Sequence, residues 1–395
     1  MIRILREILV RLVLITTGLL LALLVLEVGI RVLKLYTFPA TDFIEPDTEL
    51  GWSHTPGKEG YWIVGQDRIH IKINSRGLRD KEYPYRKNEG TFRILVLGDS
   101  FTEGFQVPLE DTFCKILESR LNEGQMQFEV INAGFAGVGT DYELLFFRRE
   151  GYKYHPDLVI IAFFGNDIYD NYRSKGVLAN RRVPLAYEEK GLVVHLKQFL
   201  AEKSCAYNYF GYTLPKHLPF LASFLMKLRL LSSQPMDDAR GVDQLHYLVF
   251  AKEYGPEWKK AWDVTRVLIS ALKKEAEQRG TNLAVVSIPF REQVYESLWQ
   301  SRLSRPGMRR REWDLNKPDR LLSRFLADAG IPFLQLLPHF KKAADKSELY
   351  HTADGHWNVG GHHLAGQLIH NWFVEEGLVP IDAIEGTSSR PKAES

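Results

Sequence analysis

The chain has 395 residues, which is enough for one large α/β domain with insertions or for two small domains. Its 51 basic and 49 acidic residues leave a formal net charge of +2 without long runs of one sign, so no nucleic-acid partner is expected. No segment recurs with a period of about 20–50 residues, which argues against a solenoid.

The N-terminal segment predicts a membrane anchor. Residues 12–26 carry no charged side chain. A transmembrane helix needs about 20 mostly apolar residues, and that length includes Glu27 and Arg31. These two residues lie four positions apart, so they can pair on one face of a helix near the lipid surface. We therefore interpret residues 1–36 as a single transmembrane signal anchor.

The charges before the apolar segment predict its orientation. Arg3, Arg6 and Arg11 outnumber the single Glu7, and this bias favours a cytoplasmic N terminus. The rest of the chain would then lie outside the inner membrane, in the periplasm. A cleaved signal peptide is a second interpretation, less favoured because no small-x-small cleavage site follows Leu26. A buried helix of a soluble protein is a third.

Residues 37–90 are rich in glycine, proline, tyrosine and charged residues. We interpret them as a stalk and an N-terminal cover to the domain that follows. A short strand is predicted within the cover at residues 70–74.

An α/β domain is predicted over residues 91–376. Short apolar runs predict its strands, at residues 93–97, 128–131, 158–163, 283–288 and 333–337. Apolar residues with helical spacing predict its main helices, at residues 111–122, 142–152, 258–279, 319–329 and 360–376. Five strands separated by helices imply a flavodoxin-like three-layer α/β/α sandwich with a parallel five-stranded sheet.

One long insertion interrupts the strand and helix alternation, at residues 170–255. Its mixed short apolar clusters predict a helical lid or substrate-binding subdomain. After the domain, residues 377–395 form a C-terminal tail. Residues 386–395 of the tail are polar, so disorder is expected there.

Four polar motifs follow predicted strands, and ligands bind at this carboxyl edge of open parallel sheets. The motifs are Gly98-Asp99-Ser100, Asn132 to Gly139, Gly165-Asn166-Asp167 and Asp354-Gly355-His356. Taken singly, each motif is explained by a turn or a helix cap, and Asp99 is expected to orient the Ser100 turn. Together they supply the hydroxyl nucleophile, imidazole, carboxylate and oxyanion donors that acyl transfer needs.

In this order the motifs resemble the four sequence blocks of the SGNH, or GDSL, hydrolase family. The resemblance covers residues 93–373, apart from the insertion. It implies the SGNH hydrolase fold, with Ser100 as the nucleophile and the Ser100 N–H as one oxyanion donor. It also implies the Gly137 N–H as the second donor and the Asn166 side-chain amide as the third.

The final block of the family implies that Asp354 is the triad carboxylate and His356 the base. The family usually spaces this pair three residues apart, whereas here the spacing is two and Trp357-Asn358 follows. The shorter spacing resembles the branch that includes alginate O-acetyltransferases. The segment of residues 74–80 and the N-terminal anchor are similar to membrane-attached bacterial members of the family. Esterase and transferase therefore remain alternatives.

Several histidines near the final block offer another interpretation, a metal cluster. Its members would come from His351, Asp354, His356, His362 and His363. However, the last two lie at the start of the final helix and cannot both face His356. His362 is interpreted as a cap or a helix–sheet contact, and the implied mechanism requires no metal and no cofactor.

The expected function is that of an extracytoplasmic serine esterase. Its expected substrates are acyl esters, above all acetyl esters of cell-envelope carbohydrate. The first alternative is an O-acetyltransferase of an exported polysaccharide, which implies a partner acyl-transfer membrane protein. The second is a non-catalytic envelope scaffold or carbohydrate-binding protein.

Overall fold

The computed structural model describes most of the chain in two compact units. The described residues are 2–33, 43–65, 67–173, 200, 204–207, 209–210, 218, 220–221, 246–304, 308, 312–352 and 354–380. One unit combines Met1–Thr41 with Tyr187–Asp243, and the other combines Asp42–Ala186 with Gln244–Ser395. Most of the predicted insertion, and the residues of the tail expected to be disordered, lie outside the described residues.

The first unit contains helix α1, Ile2–Val32. Within it, Val13–Val32 is long and apolar enough to cross a membrane. A signal sequence has the same properties, so the helix suits either a membrane anchor or a signal sequence. Arg31 donates a hydrogen bond of 2.7 Å to the Glu27 carboxylate, which confirms the predicted pairing of these two residues.

The second unit begins with two small antiparallel sheets. Strand β1, Ile44–Asp47, pairs with β2, Gly51–His54, and strand β3, Glu59–Val64, pairs with β4, Asp67–Lys72. For this region the sequence predicted only one strand, at residues 70–74. The observed strand β4 ends two residues before the end of that predicted strand. The side-chain oxygen of Asn74 instead accepts hydrogen bonds from two backbone N–H groups that follow it in the chain, and these bonds form a turn.

The main sheet has five parallel strands, as the sequence predicts. They are β5, Thr91–Gly98; β6, Gln127–Gly134; β7, Leu158–Phe164; β8, Asn282–Ile288; and β9, Phe333–Gln335. Their spatial order is β6-β5-β7-β8-β9. In this flavodoxin-like order the connections reverse direction between β5 and β7, the position at which open α/β sheets generally bind ligands.

Helices cover both faces of this sheet. The described helices after α1 are α2, Ser100–Glu103; α3, Phe113–Leu121; α4, Thr140–Arg149; α5, Asp167–Arg173; α6, Pro256–Glu277; α7, Arg291–Val294; α8, Glu296–Leu303; α9, Lys317–Asp328; α10, Leu337–Ala344; and α11, Val359–Glu376. Leu95 and Leu97 of β5 join the core beneath α4 and α6, whereas Ile94 and Val96 join the core beneath α3 and α11. The alternation confirms the three-layer arrangement.

The last predicted strand is wrong at its end. The apolar run was expected to form a strand as far as residue 337, but β9 ends at Gln335 and α10 begins at Leu337. Pro338 lies in the first turn of α10, where its fixed φ favours a helix start. Leu336 and Leu337 are buried, and apolar residues are expected at buried positions of strands and helices alike. Their apolar character therefore could not distinguish a strand from a helix.

Candidate active site

Ser100 begins helix α2, two residues after strand β5 ends at Gly98. The turn between them requires Gly98, because a Cβ there would lie 2.2 Å from the Thr102 hydroxyl oxygen. The Asp99 side chain caps α2 by accepting a hydrogen bond of 3.0 Å from the Phe101 N–H. This contact confirms the orienting role predicted for Asp99. We call residues 98–104 the nucleophile turn.

His356 lies within hydrogen-bond distance of Ser100, although 256 residues separate them in the chain. The His356 Nε2 atom is 2.8 Å from the Ser100 Oγ atom. The Phe101 ring supports the imidazole, with ring centroids 4.9 Å apart. Gly355, just before His356, has φ of 80°, a conformation that favours glycine. We call residues 354–358 the histidine loop.

Asp354 contacts His356 in two places. Its Oδ1 atom accepts a hydrogen bond of 3.0 Å from the His356 backbone N–H. Its Oδ2 atom is 3.4 Å from the His356 Nδ1 atom, longer than an ordinary hydrogen bond. Burial opposes ionisation of Asp354, but hydrogen bonds and charge from His356 hold the pKa of this carboxyl below its usual value. Asp354 is therefore an anion at neutral pH, positioned to pair with an imidazolium.

The three predicted oxyanion donors follow three adjacent strands of the sheet. Ser100 follows β5, Gly137 lies in the loop after β6, and Asn166 follows β7. Gly137 has φ of 74° and is exposed. Beside Asn166, a Cβ on Gly165 would lie 2.5 Å from the Phe290 ring, so only glycine fits there. The topology brings the donors to one edge, and their catalytic roles stay predictions.

Three buried carboxyl groups lie near the candidate site, and sequence reasoning gave two of them no role. Burial raises the pKa of Asp99 to about 6, although the Phe101 N–H and the charge of His356 lower it. Burial and the negative charge of Asp99 raise the pKa of Glu143 well above its usual value. Burial and the charge of Glu143 do the same for the pKa of Asp167. These shifts favour the neutral acid for Glu143 and Asp167, whereas a pKa of about 6 leaves most of Asp99 ionised at neutral pH.

Segment 74–80 supports the nucleophile turn, a role that the sequence did not reveal. The buried Arg79 guanidinium donates to the backbone carbonyls of Glu103, at 2.8 Å, and of Gly104. The Asp80 carboxylate accepts a hydrogen bond of 2.7 Å from the Asn132 N–H. The adjacent charged residues Arg79 and Asp80 were the sequence feature that could have indicated this role. Their partners, however, lie more than 20 residues away in the chain.

His362 has a structural position. It is buried, and its Nδ1 atom accepts a hydrogen bond of 3.2 Å from the Phe113 N–H at the start of α3. Burial and the positive charge of Arg79 lower the pKa of His362 well below its usual value, so the ring is neutral. Its predicted role as a cap is confirmed, with α3 as the capped helix. Among the described residues, no group of three His, Cys, Asp or Glu side chains is arranged to hold a metal ion.

The α/β/α fold and the Ser–His contact at the carboxyl edge of its sheet together define the arrangement of a serine hydrolase. The sequence model of the GDSL-like lipase/acylhydrolase family matches residues 96–364, more than half of the chain. The chain therefore belongs to this family, a class of ester-hydrolysing enzymes. Both the family and the enzyme class predicted from the sequence are confirmed.

Individual relatives are more distant. An arylesterase from Vibrio mimicus is 30% identical over 93 residues, which is 24% of this chain and 46% of that protein. The chain thus spans about half the length of this curated relative. Among solved structures, a catalytic variant of an acetylxylan esterase from Geobacillus stearothermophilus has 13% identity and a TM-score of 0.38, covering 72% of this chain and 93% of that one. An α/β hydrolase from the metagenome of Lake Arreo, Spain, has 12% identity and a TM-score of 0.37, covering 74% and 96%.

Proposed function

We propose that the chain is an extracytoplasmic serine esterase that hydrolyses short acyl esters, with acetyl esters of cell-envelope carbohydrate as its substrates. The observation that carries the proposal is the 2.8 Å distance between His356 Nε2 and Ser100 Oγ. At this distance the imidazole can take the hydroxyl proton directly.

The mechanism follows from these positions. His356 removes the Ser100 proton as Oγ attacks the ester carbonyl, and Asp354 stabilises the imidazolium that forms. The N–H groups of Ser100 and Gly137 and the Asn166 amide stabilise the tetrahedral oxyanion. The intermediate then expels the alcohol, which takes its proton from the imidazolium. Water, deprotonated by the same imidazole, hydrolyses the acyl-enzyme and restores the free hydroxyl.

Two observations support a small acyl group. The Phe290 ring packs against Gly165, next to Asn166, and lies tilted against the Phe164 ring with ring centroids 4.2 Å apart. These rings occupy space beside one proposed oxyanion donor, which favours acetyl over longer acyl chains. The arylesterase of Vibrio mimicus, similar over 93 residues, is named for aryl esters rather than for carbohydrate esters. The carbohydrate substrate is therefore a proposal.

The proposed location is the inner membrane, with α1 as a single-pass anchor and the second unit in the periplasm. The arginines before the apolar segment and the 20-residue apolar span Val13–Val32 support it. Protease added to spheroplasts should digest the domain that contains Ser100. Protection of that domain, or a mature N terminus after residue 26, would contradict the location.

An O-acetyltransferase of an exported polysaccharide is the second candidate. It is favoured by the two-residue spacing of Asp354 and His356, and a partner membrane protein would supply its acetyl groups. Transfer to a sugar hydroxyl uses the same serine, imidazole and oxyanion donors as transfer to water. The acceptor therefore has to be determined by experiment.

The experiment supplies the purified full-length chain with nitrophenyl esters of increasing acyl length, with and without an acetyl-free envelope oligosaccharide. An esterase should prefer the acetyl ester and release acetate at a rate indifferent to the sugar. A transferase should turn over faster with the sugar and add acetyl mass to it. Preference for long acyl chains would overturn the carbohydrate proposal. No turnover by folded protein would favour the scaffold.

A further inference from the structure

A buried histidine–glutamate contact lies next to the loop that carries Gly137. Glu103, the last residue of α2, and His54, the last residue of β2, are both almost fully buried. The His54 Nε2 atom is 2.8 Å from the Glu103 Oε1 atom. The same oxygen accepts a hydrogen bond of 3.2 Å from the Ala136 N–H. Ala136 immediately precedes Gly137, whose amide is the second proposed oxyanion donor.

Both ring nitrogens of His54 have a polar partner. Its Nδ1 atom is 3.1 Å from the Gly77 carbonyl oxygen, which can only accept a hydrogen bond. Its Nε2 atom faces the Glu103 carboxylate oxygen, which already accepts from Ala136. Both ring nitrogens are therefore engaged, and the two contacts hold the His54 ring against Glu103.

The loop is exposed at Ala136 and Gly137, between the buried Phe135 and Val138. A Cβ on Gly137 would meet no atom within 4 Å. On the other side, Glu103 is fixed twice, through its carboxylate by His54 and through its carbonyl by Arg79. The Ala136–Glu103 bond thus connects an exposed loop to a rigid buried anchor.

We propose that Glu103, held by His54, is a positioning residue that sets the direction of the Gly137 N–H toward the oxyanion. The Glu103 carboxylate fixes the Ala136 amide, and the next peptide unit carries the Gly137 donor. The positive charge of Arg79 offsets the negative charge that Glu103 brings near the oxyanion. This inference rests on the proposed esterase function. It links His54, a residue of the N-terminal cover, to the oxyanion donor through Glu103.

Substitutions at position 103 separate the hydrogen-bond acceptor from the charge. Glu103→Gln keeps an oxygen that can accept from Ala136, whereas Glu103→Ala removes it. Glu103→Asp keeps the charge but shortens the side chain by one methylene, which moves the carboxylate oxygen away from the Ala136 N–H. Glu110→Ala, at an exposed glutamate in the same part of the chain, is the matched control.

The expected kinetic result is a loss of kcat with little change in KM, because a misdirected donor acts only in the transition state. Glu103→Ala and Glu103→Asp should lower kcat on nitrophenyl acetate about 10²-fold, the size expected for a displacement near 1 Å. Glu103→Gln should restore kcat to within about tenfold of wild type, and Glu110→Ala should not change it. If Glu103→Ala does not fold, the comparison of the Asp and Gln variants decides. Equal losses for Gln and Ala, or for Gln and Asp, would overturn the proposal.

Amide hydrogen exchange tests the loop without any need for activity. Peptides covering residues 133–141 of the full-length chain should exchange faster in Glu103→Ala than in wild type, and Glu103→Gln should retain the wild-type rate. Unchanged exchange in Glu103→Ala would overturn the positioning role. A wild-type chain without ester hydrolysis but with this exchange pattern would refute the proposed function while leaving the loop contact established.

Discussion

The nucleophile turn and the histidine loop contribute one member each to the Ser100–His356 pair, but the fold holds them in different ways. In the nucleophile turn, Asp99, Thr102 and Glu103 are buried and the contacts reach into the N-terminal cover. In the histidine loop, the Asp354 side chain is 32% exposed and its Oδ2 atom lies 3.4 Å from the His356 Nδ1 atom. The hydroxyl is therefore fixed by many buried contacts, whereas the carboxylate is held by few.

The largest expected effect comes from removing either member of the pair. Ser100→Ala and His356→Ala should each lower ester hydrolysis about 10⁴-fold or more, because nucleophile and base act as a unit. The double variant should be no worse than either single variant, as measured by nitrophenyl acetate turnover of the full-length chain. Multiplying losses would mean that the two residues do not act together. If His362→Ala abolishes activity while His356→Ala does not, the assignment of the base is wrong.

Asp354 should matter less than Ser100. Asp354→Asn keeps the shape of the side chain but removes the charge that stabilises the imidazolium, so a loss of about 10³-fold in kcat is expected. The exposed Asp345 provides the control, since Asp345→Asn should retain wild-type turnover. A loss as large as that of Ser100→Ala would show that the carboxylate is held as firmly as the nucleophile.

Substitutions of two glycines compare how much the nucleophile turn and the histidine loop contribute to the stability of the fold. Gly98→Ala forces a Cβ to within 2.2 Å of Thr102 in the buried nucleophile turn, so it should lower the free energy of unfolding by about 3 kcal/mol. Gly355→Ala meets only the flexible Arg291 side chain at 3.4 Å, and its φ of 80° should cost about 1 kcal/mol. Denaturant unfolding of both variants beside wild type gives the two values. A larger cost at Gly355 would reverse the contrast between the regions.

The buried acids beside the nucleophile turn predict a smaller, pH-dependent effect. Because burial raises the pKa of Glu143, its contribution to stability is complete below the unfolded pKa near 4.5 and is lost as pH rises toward the folded pKa. In that window wild type should lose up to about 1.4 kcal/mol per pH unit through this group. Glu143→Gln should flatten the decline, whereas the exposed Glu110→Gln should not. Parallel pH profiles for wild type and Glu143→Gln would contradict the raised pKa.

Features that depend on local sequence were predictable. The strand predicted at residues 158–163 differs from β7 by one residue, because a continuous apolar run after a turn leaves little choice. The nucleophile turn was also predictable, since Gly98 packs against Thr102 and Asp99 accepts from Phe101, all within the turn.

Features that depend on distant partners were not predictable. Arg79 and His54 resemble solvent-exposed residues in the sequence, and only the fold brings them to Glu103. Glu143 lies on a helix, where a glutamate usually faces water, yet it is buried. No periodicity of apolar residues reports such contacts, because the partners lie 24 to 49 residues away in the chain.

The most direct test of the central claim is labelling with a serine-directed fluorophosphonate, mapped by peptide mass. Wild-type full-length chain should carry the label on Ser100 and on no other serine. Ser100→Ala should lose the label, and Ser297→Ala, at an exposed serine of α8, should retain it. Folded wild-type protein without label, or with label on a different residue, would contradict the account of Ser100 as an activated nucleophile.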